Sequence, residues 1–527
     1  MAPEYTRHLD EKRRPGGPPP AYNRAMRSLR DPKLLIATLV CLLLLPAGSS
    51  LADESAGGED GPAADWPIPE DGSCAPKGGL LGSPGSTEDA APLPFQPGEV
   101  FGLDRVNLLE NYIPEFIWEN RERFFFEGMR LEIGPCFRDY SAPDFFRQAT
   151  ETFKGKAKLL DNDGLEDYVA GLPFSPQLIA PDEPKAGIKW LWNVEHRYQA
   201  AGFRGKFRMT DLLGRIGRAE PFEGEMFKIL LAHRADRPDA DYIMKGARNK
   251  HWVAGGLFFK PFDAREYSWR QFRDLEHEKK PRRSDDLHAY LPQWRRVRRI
   301  SAAQVEGLYM PSFSVGVQQN QQLAVGTGGD TAGGMAAAGG VSGVSGTITA
   351  KRSGYEGLEL RPLLYAAKVV GMHDVLAPIN STVPSYPENP DRAFGPWGLS
   401  FASDRWDLRR ALVLEATAKN PVGGDRDAKL VLYVDLQTQQ PLYMATFDSK
   451  GEMTNAGYYV GRWSEDREDY PAWPDDPERE VRVLDTVGAA FATLSEAGSW
   501  RRESWDNVAT PPPDHGVKRM LSLKELT

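Results

Sequence analysis

Leu412-Val413-Leu414-Glu415-Ala416-Thr417-Ala418-Lys419, Lys429-Leu430-Val431-Leu432-Tyr433-Val434-Asp435 and Leu442-Tyr443-Met444-Ala445-Thr446-Phe447 are three β-rich runs within one stretch, Leu412 to Met453. Val, Leu, Tyr and Phe fill the runs, while Asp435–Pro441 and Asp448–Gly451 carry turn chemistry. Strands joined this tightly predict an antiparallel meander rather than a βαβ unit.

Outward from that meander, period two continues upstream. Phe203, Gly205, Phe207 and Met209 alternate with Arg204, Lys206 and Arg208. Phe227–Ala232, His251–Phe259, Tyr267–Leu275 and Leu287–Ile300 read as further strands, separated by polar loops. Helical periodicity precedes them. Leu103–Phe126 repeats Leu, Ile and Phe at three and four, with a kink expected at Pro114. A second helix opens at Ser141-Ala142-Pro143-Asp144, and Ile188–Tyr198 reads as a short third. Helices first and strands after predict an α+β fold, a curved antiparallel sheet with helices packed on one side. Val481–Leu494 gives one more ordered element, and the chain after Pro511 reads as a loose tail.

The termini and linkers bound the organisation. Arg24, Arg27, Arg30 and Lys33 precede an apolar run, Leu34–Leu45, and Ser50-Leu51-Ala52 offers a small-x-small cleavage site. Residues 1–52 therefore read as a signal peptide, with a retained anchor as the alternative and Met1 or Met26 as the start. The run is short of the ~20 apolar residues that span a bilayer. Residues 53–95 are a Gly/Pro/Ser-rich flexible lead-in, 96–500 the body, and 501–527 a C-terminal tail. Residues 318–350 are a neutral, Gly-rich insertion. The formal net charge is −9, and because residues 1–52 carry +4 the remainder carries −13. An acidic body argues against nucleic acid as a partner. Beyond residue 52 only Cys74 and Cys136 remain. In an oxidising compartment they can pair, closing a loop of ~60 residues for roughly 4 kcal/mol; two unpaired thiols are the alternative.

Catalytic patterns are missing from the sequence. There is no H-E-x-x-H, G-x-S-x-G or G-x-x-x-x-G-K-[ST] pattern. Gly326–Thr331 lacks the third Gly of a dinucleotide loop, and Asp161-Asn162-Asp163-Gly164 reads as a turn rather than a calcium loop. No cofactor and no metal is expected. His251, His277 and His288 fall near the strands and can converge, which keeps a hydrolase as a remote reading. Trp294-Arg295-Arg296-Val297-Arg298-Arg299-Ile300 puts Arg296 and Arg298 on one strand face. That face is either solvated and salt-bridged, with Asp285, Asp286 and Glu415 as partners, or an anchor for an anionic headgroup or a partner protein.

Three signatures resemble a family of exported proteins without assigned activity, described as outer-membrane-lipoprotein-sorting-like after the lipid carriers LolA and LolB. They are Gly171-Leu172-Pro173-Phe174 with Trp192-Asn193 and Arg197-Tyr198; Ser284–Ser301; and Glu415, Lys419, Tyr433-Val434-Asp435, Thr438, Asp448 and Gly451. The chain departs from that family after Ser301, where an acidic aromatic segment is replaced by Gly-rich sequence. The resemblance implies an incomplete β-barrel, LolA/LolB-like, closed by N-terminal helices around an apolar hollow. It also implies work beside a resistance-nodulation-division exporter or an outer-membrane component. A hollow of this kind suits acyl chains, since a 16-carbon chain offers roughly 12 kcal/mol before ordering costs.

The expectation is a periplasmic, non-enzymatic carrier or receptor for a lipid, lipoprotein or other hydrophobic molecule, associated with the outer membrane. Trp190, Trp192, Arg296, Arg298 and Tyr433 are its candidate ligand-binding residues. The alternative is an adaptor of an envelope export assembly that binds protein and no lipid.

Overall fold

The computed structural model describes residues 93–213, 217–239, 243–281, 283–292, 295–300, 307–311, 358–419, 428–494 and 498–526, all within the unit Asp60–Thr527. The expected signal peptide, most of the lead-in, Cys74 and the Gly-rich insertion lie outside these residues.

Among the described residues the first elements are β1 (Val100–Phe101), a 3-10 turn (Val106–Tyr112), the one-turn helices α1 (Glu115–Trp118) and α2 (Arg121–Phe124), and β2 (Leu131–Cys136). Helix α3 (Asp144–Thr152), a small ribbon of β3 (Lys158–Leu159) and β4 (Leu165–Glu166), and helix α4 (Ala186–Glu195) follow. A first meander holds β5 (Gly202–Leu213), β6 (Arg218–Leu230), β7 (Lys250–Lys260), β8 (Ser268–Asp274), β9 (Asp286–Leu291) and β10 (Arg296–Ile300). A second group holds β11 (Tyr365–Ala377), β12 (Arg405–Ala418), β13 (Lys429–Asp435), β14 (Pro441–Phe447), β15 (Met453–Trp463) and β16 (Leu484–Thr493). Strand β17 (Ser499–Trp505) and helix α5 (Asp514–Leu521) end the chain.

Among the described residues these strands form one 15-stranded sheet, ordered β1-β2-β12-β13-β14-β15-β16-β17-β5-β6-β7-β8-β9-β10, with β11 also on β12. Every pairing is antiparallel except that of β2 with β12. The path does not close on itself, so the α+β class and the open sheet are as expected. Strand β17 joins the two meanders, pairing β16 on one side and β5 on the other.

Period two decides which residues face which core. Leu430, Leu432 and Val434 of β13, Met444 of β14 and Tyr459 of β15 join a cluster built around α4. Their neighbours Val431, Tyr433, Tyr443 and Tyr458 join a second cluster on the opposite face. Both faces of the central strands are therefore covered, which is why β14 reads as a nearly continuous apolar run and β12 is buried along most of its length.

The structure differs from the sequence reading at four places. The long helix expected over 103–126 is three short turns, because Pro114 lacks an N–H and Asn120 interrupts the next turn. Those turns cover the Tyr443–Tyr458 face, and α4 fills the other. The run Leu287–Ile300 is a hairpin rather than one strand. The boundary at 500 falls inside β17, and the expected tail carries α5, whose Val517 is buried against the outer face of β6 and β7.

Signature residues prove to be turn clamps. Asp435 Oδ1 accepts from the Gln437 and Thr438 N–H groups and the Thr438 hydroxyl, and Oδ2 accepts from Arg409 Nε at 2.6 Å. Asp448 Oδ1 accepts from Lys450 and Glu452 N–H groups, with Gly451 at φ +86°. Asn193 Oδ1 accepts from Phe174 N–H and its Nδ2 donates to Phe174 O, which fastens Gly171–Phe174 to α4.

Asp485 gives one pH prediction. It is buried on β16, accepts from the Tyr470 hydroxyl at 2.6 Å, and burial pushes its pKa up to about 7 despite that bond. The fold thus holds its proton more tightly than the unfolded chain, so the stabilisation is full below pH ~4 and is lost as pH rises through ~7. Asp485→Asn should therefore be more stable than the parent at pH 8, by about 2–3 kcal/mol, and equal to it near pH 4. Urea denaturation at both pH values checks this.

Candidate functional site

The C-terminal end of α4 meets the inner face of β6, β7 and β8 in a buried polar cluster. Lys228 Nζ lies 2.6 Å from Glu359 Oε2, and Arg197 lies 3.5 Å from Glu359 Oε1. Arg273 lies 3.0 Å from Asp285 and 3.7 Å from Glu195. Glu195 Oε2 also accepts from the Leu360 N–H, and Gln271 donates to Asp285 at 2.7 Å. Burial, with Glu359 nearby, pushes Glu195 up to about 7. Segments 307–311 and 358–364 thereby become part of the inner core, tied to β8 through Gln271, which accepts from the Tyr309 N–H.

Four histidines stand beside this network. His196 follows α4, His233 follows β6 at φ +58°, His251 lies on β7, and His277 sits in the turn after β8. Ring centroids of His196 and His251 are 5.3 Å apart, and His251 stacks on His277 at 5.3 Å. Tyr168 packs on His196 at 4.2 Å and on His233 at 4.6 Å. His233 Nδ1 donates to Val169 O and His277 Nδ1 to Asp274 O, so each ring presents Nε2 inward. Burial holds His196, His251 and His277 well below the ordinary histidine range, and hence neutral. Burial also pulls His233 down, but the Glu278 carboxylate outweighs it and the pKa ends raised. The sequence reading named His251 and His277 and missed His196 and His233. His288 does not join them and packs near Phe272 and Asp286.

A cleft of ≈ 510 Å³ opens between α3, the Leu172–Gln177 loop and the β13–β14 turn. Phe146, Leu172, Pro176, Tyr198, Leu436 and Leu484 form its apolar walls. Gln177, Gln437, Thr438, Gln439, Gln440 and Arg482 are among its polar lining residues. A smaller cavity of ≈ 20 Å³ is lined by Tyr168, His196, His233 and His251. Phe146 and Tyr198, whose rings are 5.1 Å apart, line both.

The five residues expected to bind ligand do not meet. Trp190 and Trp192 are 1% and 0% exposed in the core around α4, where Trp192 Nε1 donates to Asp163 O. Tyr433 lies on the opposite face against Phe116, ring centroids 5.7 Å apart. Arg296 and Arg298 are exposed on β10, the end strand, so neither guanidinium enters the core. The expected carboxylate partners are divided: Asp285 pairs Arg273, Asp286 pairs Arg299, and Glu415 pairs Lys368 and Lys429. Cys136 is buried and disulfide-bonded, and Cys74 as its partner remains a proposal. The hollow expected inside the sheet is where α4 packs.

An open, mostly antiparallel α+β sheet with a cleft at its rim is the class that the fold and site define. The chain belongs to the family described as protein of unknown function (DUF1329), which matches residues 123–317 and 348–473, more than half of its length. The unmatched gap falls in the Gly-rich stretch. No curated protein matches the chain. Among solved structures it is similar to one described as an outer membrane lipoprotein-sorting protein domain from Vibrio parahaemolyticus, with 12% identity over 64% of this chain and 100% of that one, TM-score 0.35. It is also similar to a DUF1329 family protein from Desulfovibrio piger, with 13% identity, coverage of 66% and 100%, TM-score 0.36. A third is a LolA superfamily protein from Nitrosomonas europaea, with 11% identity, coverage of 61% and 92%, TM-score 0.28.

Proposed function

We propose that this protein is an exported, periplasmic carrier or receptor for a lipid, lipoprotein or other hydrophobic molecule, and that the cleft at the rim of the sheet is its binding site. The observation that carries the reading is the ≈ 510 Å³ cleft, lined by apolar side chains such as Phe146, Leu172, Leu436 and Leu484 together with polar ones such as Gln437, Thr438 and Arg482. That volume lies within the ~300–1,000 Å³ typical of small-molecule sites. An alkyl chain fits against Phe146, Leu172 and Leu436, and a headgroup against Gln437, Thr438 and Arg482. Equilibrium burial of the chain needs no reacting group, in keeping with a protein that is not an enzyme. No helix among the described residues is long and apolar enough to cross a membrane.

Native mass spectrometry of the purified protein, with uptake of a fluorescent fatty acid, tests this. Ala142 lines the cleft, and Ala142→Trp should lower uptake at least tenfold while stability changes by less than about 1 kcal/mol. Equal uptake by the variant, or no amphiphile bound by the parent, would overturn the carrier reading. The second reading is an adaptor in an envelope export assembly. It is favoured by the filled inner face, where α4 leaves its large side chains packed against the sheet.

A further inference from the structure

We propose that His196, His251 and Glu278 form a binding site for a divalent transition-metal ion of the zinc class, beside the cleft and separate from it. Their donor atoms lie within 4.8 Å of one another, and all three residues are buried. Ligands about 2.0–2.1 Å from a tetrahedral ion sit roughly 3.3–3.5 Å apart. His196 Nε2 and Glu278 Oε1 are already 3.7 Å apart, within tenths of an ångström of that spacing.

The charges of the core favour this donor set over its neighbour. Glu195, His251 and His277 form a second group of suitable donors. In that group Glu195 already accepts from Leu360 N–H, and Arg273 lies 3.7 Å away, which disfavours a cation. Glu359 and Asp285 are likewise matched by Lys228, Arg197 and Arg273. Glu278 differs. Among the described residues its ion-pair contacts are histidines alone, His196 at 3.7 Å and His233 at 3.3 Å. A buried carboxylate whose partners are imidazoles, with no Lys or Arg among them, can take a metal ion as its counter-charge in their place.

The surroundings are those of a metal ligand set. His196 Nε2 and His251 Nδ1 are buried without hydrogen-bond partners, and Glu278 Oε1 faces the two imidazoles of His196 and His233. His233 is a positioning residue: its Nδ1 is fixed by Val169 O and its Nε2 steers Glu278. The stacked His277 ring fixes the plane of His251. The ≈ 20 Å³ cavity beside His196 and His251 holds one water-sized species, room for a fourth ligand. Phe146 and Tyr198 separate it from the open cleft and mark the entry path.

The test loads the purified full chain with Zn²⁺ or Co²⁺ alone. One Zn²⁺ per chain should survive dialysis, leave with a chelator and return with a Kd of about 1 μM or tighter. The Co²⁺ form should show the intense visible absorption of tetrahedral coordination. Glu278→Gln and His251→Gln should each weaken binding at least ~100-fold, whereas the remote His373→Gln should leave it unchanged. No bound metal in the folded parent, or full binding by Glu278→Gln, would overturn the proposal. If a variant fails to fold, the parent's Co²⁺ spectrum decides: tetrahedral absorption supports the site, and octahedral absorption or none rejects it.

Discussion

Glu359→Ala should destabilise the fold by about 3–5 kcal/mol, among the largest single-residue effects expected in this protein. The reason is the company Glu359 keeps. It is 1% exposed and is bonded to Lys228, itself 1% exposed, with Arg197 3.5 Å away. Removing the carboxylate leaves two buried cations without the counter-charge they share, with only neutral acceptors such as Gln199 and Gln440 bonded to them among the described residues. Burial already lowers the Lys228 pKa against the pull of Glu359, so in the variant the amine should give up its proton first. The loss should then be smaller at high pH. Replacing Lys228 by Met in the same chain should recover much of the deficit, because a well-packed apolar pair can match a buried ion pair. Urea denaturation with unchanged m-value checks both claims. A deficit below about 1 kcal/mol would mean that water reaches the network.

Trp192→Ala should remove a similar amount, about 3–5 kcal/mol. Its indole is fully buried, donates to Asp163 O at 3.0 Å, and stacks on His196 with centroids 5.8 Å apart. The measurement also separates two roles for this residue. A tryptophan lining an empty hollow loses ligand affinity on truncation and little stability. One that fills the space between helix and sheet loses stability first. The structure places Trp192 in the second situation, so thermal denaturation should register the change while fatty-acid uptake per folded molecule stays constant.

The sheet was legible in the sequence because alternation and turn chemistry are local. Phe203, Phe207 and Met209 face the α4 core as their period requires, and Asp435 and Asp448 make the turns that their neighbours imply. Helix α4 was visible as well, but its destination was not. Nothing in Ala186–Glu195 says which of two apolar sheet faces it will occupy. The helix over 103–126 was misread because apolar spacing persists through short turns that Pro114 prevents from joining. The ligand-site residues were chosen by type, and burial divided them among two faces and an edge. The histidine cluster lay beyond reach for a different reason. His196, His233, His251 and Glu278 come from a helix end, a loop, a strand and a turn, and only the pairing of β7 with β6 and β8 assembles them.

The placement of β17 governs how this chain can be made. It is the last of the described strands in the chain, yet it lies in the middle of the sheet, between β16 and β5. Until residues 499–505 are in place, the edges of β16 and β5 that β17 joins keep unpaired backbone groups, the kind of surface that sticks to other chains. Maturation therefore ends with the insertion of a single late strand, and any shortened product that lacks it keeps both margins permanently bare.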